Sequence, residues 1–373
     1  MKLEVLTENF KKALNSCEKI TRKVLTLPVL QNVLLKAENN LLELTTTNLE
    51  TTIIWRILAK IEKIGQVVVP ATFLANFVSL VPNEKIELHS DNESLILISQ
   101  NQKTKIQGQN SDDFPIVPKM EKNNQWIVRA NLFCEGLQQV VDLPANSQIR
   151  PEISGVYFCS NKNKLKIAAT DSFRLAEKTI DIETSQENTG FILPQAACRE
   201  IVNIFSPIKE NISIYYNSNQ VLVEYAPSGL PYPLISLMSR LVEGEYPKYQ
   251  EIVPKKFTTK AQIEKSHLEN QIKKAGLFSG KISEVKVGFL VKENKIRIFS
   301  QSAESGQNES FLPCKVDGDN MEVSFNYRFL LDGLSNLRSS EIILELSGQD
   351  SPAVLRPVGD SSYFYVLMPI KGT

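Results

Sequence analysis

The sequence predicts an α+β protein made of three tandem copies of one module, each with two helices packed on antiparallel sheets. Three observations carry this. A helical apolar spacing recurs, in which Phe10, Leu14 and Cys17 match Phe133, Leu137 and Val140, then Leu268, Ile272 and Ala275. A second stripe follows in each copy: Leu74, Val78 and Val81, then Cys198, Val202 and Phe205, then Leu330, Leu334 and Leu337. The offsets agree. Phe10 to Phe133 is 123 residues and Leu74 to Cys198 is 124, while Phe133 to Leu268 is 135 and Cys198 to Leu330 is 132. Amphipathic helices share this spacing wherever they occur, so the evidence for a repeat is the common order and matched offsets. A unit this long is a whole domain, since solenoid repeats have periods of roughly 20–50 residues.

In the first copy, residues 2–6 alternate like a strand. Thr7 is a plausible helix N-cap and Glu8 suits the first turn of a helix running to about Ile20. Strands are expected over 33–37, 41–46 and 51–57. The strand at 67–69 leads through Pro70 into the second helix, since proline is compatible with a first turn. Alternating strands over 86–90, 94–100 and 103–107 close the unit. The second copy repeats the plan: strand 126–129, helix 131–141, strands 155–160, 164–169 and 176–179, then 191–193 and Pro194 before the second helix. Residues 212–216 and 220–225 read as a hairpin, and 226–235 (APSGLPYPLI) as an enlarged loop. The third copy has a helix over 260–277, strands 284–290, 295–300 and 309–316, a helix over 327–337, and strands 341–346, 353–357 and 363–368. The joins, DFPIVP at 113–118 and YPKYQEIVP at 246–254, carry repeated proline and suit extended linkers. The domains expected are therefore 1–121, 122–253 and 254–373.

Length and composition agree with this plan. At roughly 150 residues per domain, 373 residues make two or three domains. A hydrophobic share of 42% is enough for real cores. No apolar run approaches the roughly 20 residues that cross a bilayer, so no membrane association is expected. The opening MKLEVLTENF does not read as a secretory signal. The five cysteines are scattered without a CxxC, which suits reduced thiols in a cytoplasm. Lys+Arg and Asp+Glu are equal at 42 each. That argues against a surface basic all over, but leaves room for one basic face.

Motifs of catalysis are weak. The segment 276–281 (GLFSGK) fails the spacing of a phosphate loop and has Ile282 where a hydroxyl would hold magnesium; a helix end capped by Gly280 is the simpler reading. His89 and His267 lack metal-ligand spacing, and no cofactor is expected. Asp112 and Asp113 read as a solvated linker pair. An enzyme of nucleotide or DNA metabolism using Asp171 is the alternative, and a structural or adhesive protein a third.

Two segments are distinctive. ATDSFRLA at 169–176 ends a strand in a Thr-Asp turn, and TTNLE at 46–50 is its counterpart, Asn48 to Asp171 again being 123 residues. The chain also ends in an apolar strand followed by Met368-Pro369-Ile370-Lys371, where termini are usually polar. These segments resemble the bacterial sliding clamps, the beta-subunit family of the DNA polymerase III holoenzyme. That family carries A-T-D-G-H-R-L-A in its middle domain, F-P-x-Y-x-x-V/I-x-P at a domain join, T-L-P-I-L-x-N near the start and V-V-M-P-M-R-L at the end. Residues 169–176, 246–254, 27–32 and 366–371 approximate these in order, so the resemblance covers the whole chain.

The resemblance implies a non-catalytic processivity factor: a head-to-tail homodimeric ring of clamp domains that encircles double-stranded DNA without reading sequence. It implies that the replicative polymerase, clamp loader and repair proteins dock by short linear peptides. The peptide pocket would comprise Ile153, Thr170, Ser172, Phe173, Arg174, Leu175, Pro247, Ile252, Val366, Met368, Pro369 and Ile370, with Thr170 and Arg174 offering hydrogen bonds at the rim. DNA-facing candidates are Lys11, Lys12, Lys19, Arg22, Lys23, Arg150, Arg199, Lys265, Lys273, Lys274 and Lys281. Thr104 and Ile106 would meet Leu277 and Phe278 across the dimer interface. Ser172, Phe173, Glu251 and Lys371 depart from the family's usual Gly, His, Arg and Arg, which bears on peptide preference.

Overall fold

The structure, a computed structural model, describes residues 1–21, 27–82, 84–100, 102–145, 147, 149–183 and 189–371. The first copy runs β1 Lys2–Leu6, α1 Thr7–Thr21, β2 Asn32–Glu38, β3 Leu41–Thr47, β4 Thr51–Lys63, β5 Gly65–Pro70, α2 Ala71–Leu80, β6 Lys85–Asp91, β7 Ser94–Ser99 and β8 Gln102–Gln107. The second runs β9 Asn124–Arg129, α3 Ala130–Gln138, β10 Gly155–Asn161, β11 Lys164–Thr170, β12 Arg174–Asp181, β13 Gly190–Pro194, α4 Gln195–Phe205, β14 Asn211–Tyr216, β15 Gln220–Tyr225 and β16 Ile235–Arg240. The third runs β17 Thr259–Glu264, α5 Lys265–Gly276, β18 Glu284–Leu290, β19 Lys295–Ser302, β20 Gly306–Pro313, β21 Lys315–Gly318, β22 Met321–Asn326, α6 Tyr327–Asn336, β23 Glu341–Leu346, β24 Ala353–Pro357 and β25 Tyr363–Leu367.

The chain divides into two compact units. The first is Met1–Cys134, Ile182–Gln186 and Ala196–Leu241; the second is Glu135–Asp181, Glu187–Gln195 and Val242–Thr373. The middle copy is shared between them. In the first unit a twelve-stranded sheet follows the path β8-β7-β6-β1-β4-β16-β15-β14-β9, with β2, β3 and β5 attached through β4. The long strand β4 makes this sheet continuous: residues 51–55 pair with β16 and residues 59–63 with β1. α1 packs on α2, β3 and β4, burying Phe10, Leu14 and Cys17 at no more than 1% exposure. Burying a large apolar side chain is worth roughly 1.5–3 kcal/mol.

The second unit holds a nine-stranded sheet, β13-β10-β11-β12-β25-β24-β23-β17-β21, and a four-stranded one, β20-β19-β18-β22. Its seam between copies is β12 against β25, with Arg174 opposite Leu367 and Leu175 opposite Val366. The first unit repeats that seam as β4 against β16, with Thr51 opposite Ser239 and Thr52 opposite Met238. α6 lies close over β25 because Gly333 has no side chain; a Cβ there would sit 2.6 Å from the Tyr365 ring.

Several sequence expectations change. Residues 259–264 are strand, not the start of a helix, because Ala261 and Ile263 alternate inward between β21 and β23. The expected strand 309–316 is split into β20 and β21, which belong to different sheets. β22 was not expected, nor was a strand at β16 beyond the loop. Helix α3 stops at Gln138 and continues as turns. Thr7 is inside α1, and its hydroxyl is buried without a hydrogen-bond partner. The second join is not extended: it holds a single 3-10 turn, Tyr249–Glu251.

Candidate binding pocket

The turn from β11 into β12 is built by its own side chains. Asp171 Oδ1 accepts from the amides of Phe173 and Arg174, both at 3.0 Å. Thr170 Oγ1 accepts from the Ser172 amide at 3.1 Å and donates to the Arg174 carbonyl at 2.7 Å. Ser172 is left with φ +79°. The first copy repeats the three amide bonds of this turn. Asn48 Oδ1 accepts from Glu50 and Thr51 at 3.0 and 2.7 Å, Thr47 Oγ1 accepts from Leu49 at 3.1 Å, and Leu49 has φ +73°. Short polar side chains favour such turns by bonding the backbone two residues on.

The turn aims three side chains. Phe173 is 61% exposed and stacks on Phe329 of α6 at 6.3 Å between centroids. The Arg174 guanidinium lies 4.7 Å from the centre of the Phe329 ring, bonds Asp171 Oδ2 at 2.8 Å and also pairs with Asp332. Burial alone would weaken its hold on a proton, but the Tyr365 oxygen and Asp171 outweigh it and raise its pKa above the ordinary value. Leu175 points inward beside Val366. The Met368 amide then bonds the Phe173 carbonyl at 2.9 Å, which holds the end of β25 against the turn.

The strap 246–252 closes the third side. Tyr246 stacks on Tyr157 at 4.6 Å with planes 5° apart, and Tyr249 meets both rings edge-on. The Tyr249 hydroxyl donates to Glu177 Oε2 at 2.5 Å, and Lys166 approaches Glu177 Oε1 at 3.3 Å, so the buried carboxylate is paired and hydrogen-bonded. Burial, then Glu177, pushes the Tyr249 pKa far up. Anchored this way, the strap presents Pro247 and Ile252 beside the turn.

Between these pieces lies a cavity of about 180 Å³ lined by Arg150, Thr170, Ser172, Phe173, Arg174, Leu175, Pro247, Tyr249, Ile252, Val366 and Met368. Of the twelve pocket residues expected from sequence, nine line it. Ile153 is buried at 3% exposure and takes no part in the lining. Pro369 and Ile370 also fall outside, because the Ile370 amide bonds the Ser324 carbonyl of β22 at 2.8 Å. Thr170 and Arg174, expected to offer bonds at the rim, are engaged by the turn and by two carboxylates. Arg150, expected among the DNA-facing residues, lines this pocket, with Nη1 3.1 Å from Ser172 Oγ and Nε 3.2 Å from Glu152. Tyr249, Phe329 and Asp332 were missed. Tyr249 lay in the quoted YPKYQEIVP stretch, whereas nothing local marks positions 329 and 332. Both Asp171 oxygens are engaged, which removes it as a free catalytic carboxylate.

A larger cavity of about 750 Å³ lies in the first unit, beneath residues 114–122 and against β2, β3, β4, β15 and β16. Four of its ionic groups pair with one another, Arg56 with Glu43 at 2.9 Å and Lys122 with Glu224 at 2.5 Å, while Lys36 pairs with Glu38 outside the lining. The smaller pocket has the stronger claim to function: it alone gathers the two segments that are distinctive in sequence.

The basic candidates divide by what their ammonium groups do. Lys11 Nζ bonds the Val81 carbonyl at the end of α2 at 2.5 Å, and Lys265 Nζ bonds the Leu337 carbonyl at the end of α6 at 2.7 Å. Both cap the negative end of a helix dipole. Lys12 and Lys273 pair with Glu8 and Glu269 on their own helices. Lys19, Arg199, Lys274 and Lys281 are exposed. Arg22 and Lys23 lie outside the described residues. Of the interface candidates, Leu277 is 75% exposed, Thr104 and Phe278 are half-buried, and Ile106 is buried at 4% in its own unit. Ile106 is covered because β8, an edge strand, turns it inward while Lys105 and Gln107 face out. β20 is likewise an edge, pairing only with β19.

Comparison with known proteins agrees along the chain. The family described as DNA polymerase III beta subunit, N-terminal domain, matches residues 1–118; its central domain matches 128–248 and its C-terminal domain 250–371. The beta sliding clamp of Staphylococcus aureus is 26% identical over 381 residues, covering 100% of this chain and 99% of that protein. The clamp of Staphylococcus epidermidis gives the same figures. The solved beta subunit of Thermotoga maritima superposes with a TM-score of 0.92 at 24% identity, and the sliding clamp of Bartonella birtlesii bound to griselimycin with 0.92 at 25%. Both cover 100% of each chain.

Proposed function

The chain belongs to the beta-subunit family of DNA polymerase III, and on that premise we propose how it works as the sliding clamp of that polymerase. It is a processivity factor and a non-catalytic subunit: it holds the polymerase at DNA and leaves the chemistry to its partner. Among the described residues no helix is long and apolar enough to cross a membrane. Its domains are read as 1–121, 122–253 and 254–373. Two copies close head to tail into a ring around duplex DNA, with the edge strands β8 and β20 offering backbone for the closure. Exposed cations such as Lys19, Arg199, Lys274 and Lys281 attract phosphates without reading bases, so the contact is sequence-independent and salt-sensitive. A polymerase tethered to the ring gains effective concentration rather than a tight DNA contact of its own.

The pocket of Leu175, Val366, Met368, Pro247, Ile252 and Phe173 receives a short peptide of the polymerase, and the clamp loader and repair proteins use the same place. The observation that carries this reading is the convergence of the 170–175 turn, the 246–252 strap and the chain end on one apolar cavity. Apolar anchors seated there lose water, and the polar rim orients them. The test is Met368→Ala, which removes a partly exposed lining side chain. It should weaken binding of a polymerase C-terminal peptide at least tenfold, roughly the loss of 1.4 kcal/mol, with unchanged thermal unfolding. Unaltered affinity would reject the pocket.

A further inference from the structure

The two units carry equivalent sheet faces beneath their straps. Strand register sets Leu34 at the place of Tyr157: Leu34 pairs with Thr45 and Val68, and Tyr157 pairs with Ala168 and Ile192. Ile54, opposite Thr45 and Ser236, likewise stands at the place of Glu177, opposite Ala168 and Phe364. Aligning Phe114-Pro115 with Tyr246-Pro247 sets Val117 at the place of Tyr249. In the second unit the three tyrosine rings pack on one another, and the bond from Tyr249 to Glu177 ties strap to sheet. In the first unit the same places hold leucine, phenylalanine and valine, with isoleucine instead of the carboxylate. The smaller side chains fill less, and a cavity of about 750 Å³ remains under the strap. That is within the roughly 300–1,000 Å³ of ligand pockets. Ile116, also in its lining, is 95% exposed.

The lining carries four cations, Lys36, Arg56, Lys119 and Lys122, against two carboxylates, Glu43 and Glu224. Both carboxylates are paired, with Arg56 and Lys122, and Lys36 pairs with Glu38 outside the lining. Lys119 is exposed and has no ion pair among the described residues. The strap's own carboxylates, Asp112, Asp113 and Glu121, stand outside the lining. The lining is therefore apolar with one uncommitted ammonium group.

We propose that this cavity is a second docking site, taking an extended segment of a partner protein whose apolar side chains are accompanied by an aspartate or glutamate that meets Lys119. Apolar contact with Leu34, Ile54 and Met238 supplies the affinity. The exposed Lys119 adds a few-fold that salt weakens. The cavity shares no lining residue with the Met368 pocket, so polymerase docking there stands or falls by itself.

The test pans a phage library of random ten-residue peptides against the full chain, with excess polymerase C-terminal peptide occupying the Met368 pocket. Enriched clones should combine apolar residues with Asp or Glu. Leu34→Tyr together with Val117→Tyr, which supplies the rings of the second unit, should weaken binding of the synthesised peptides at least tenfold, roughly 1.4 kcal/mol. Lys119→Glu should weaken it roughly threefold at low ionic strength and less near 1 M salt. Thermal unfolding checks that both variants are folded. In the unaltered protein, amide exchange over 116–122 should slow when peptide binds, which needs no variant. Three results overturn the proposal: clones that bind the double variant as well as the parent, enrichment without acidic residues, or exchange over 116–122 unmoved by peptide. An absence of any enrichment overturns it too.

Discussion

At the scale of single residues, the 170–175 turn shows how sequence chemistry and backbone strain combine at the site. Thr170 and Asp171 satisfy the turn's amides, but Ser172 must adopt φ +79°, a region where a Cβ is unwelcome. Leu49 bears the same strain at φ +73° in the first unit. Ser172→Gly should therefore raise stability by about 0.5–1 kcal/mol, measured by chemical denaturation. Relief of native strain outweighs the added freedom of glycine in the unfolded chain. A loss of stability would mean that the Arg150–Ser172 bond matters more than the strain. Nine pocket positions were legible because they lie in contiguous motifs. Phe329 and Asp332 were not, since the Phe173 stack and the Arg174 pair join residues more than 150 positions apart.

At the scale of elements, the repeat was legible because each helix must bury one stripe, and that demand leaves a 3.6-residue period in any sequence. Strands were harder. TKAQIE at 259–264 has the alternation of a strand, yet its charged residues run smoothly into the helical pattern of α5, so the boundary disappears. α6 illustrates a constraint that no period reveals. Gly333 is a poor helix former, worth about 1 kcal/mol less than alanine in a helix interior, but a methyl group there would press on a fully buried Tyr365 ring. Gly333→Ala should thus lower stability by roughly 1–2 kcal/mol instead of raising it, because overpacking outweighs propensity. A variant more stable than the parent would show that α6 can lift from β25 at little cost. Since β25 carries Val366, such a shift would also reach the pocket.

At the scale of the whole molecule, a neutral chain that works on DNA makes physical sense if holding depends on topology more than on affinity. The prediction is retention without tight binding. Loaded protein should stay on a nicked circular plasmid through gel filtration at moderate salt, and leave within the run once the plasmid is cut. Equal retention on both forms would contradict encirclement. Lys11 and Lys265 sharpen the expectation at this level. Their ammonium groups close helix ends, so exchanging either for methionine should cost stability, whereas exchanging Lys19 or Lys274 should chiefly reduce the salt dependence of DNA association.

The sequence by itself determined three tandem copies, the buried stripes of their helices and the chemistry of the turns, because these follow from local periods and from side chains that bond their own backbone. Only the tertiary structure decided which distant residues share a pocket, that Arg150 belongs to it, that Ile106 is covered and that the third copy opens with a strand. Those outcomes depend on strand register and helix approach, which are set by mutual burial across the fold and which the spacing of neighbouring residues does not fix by itself.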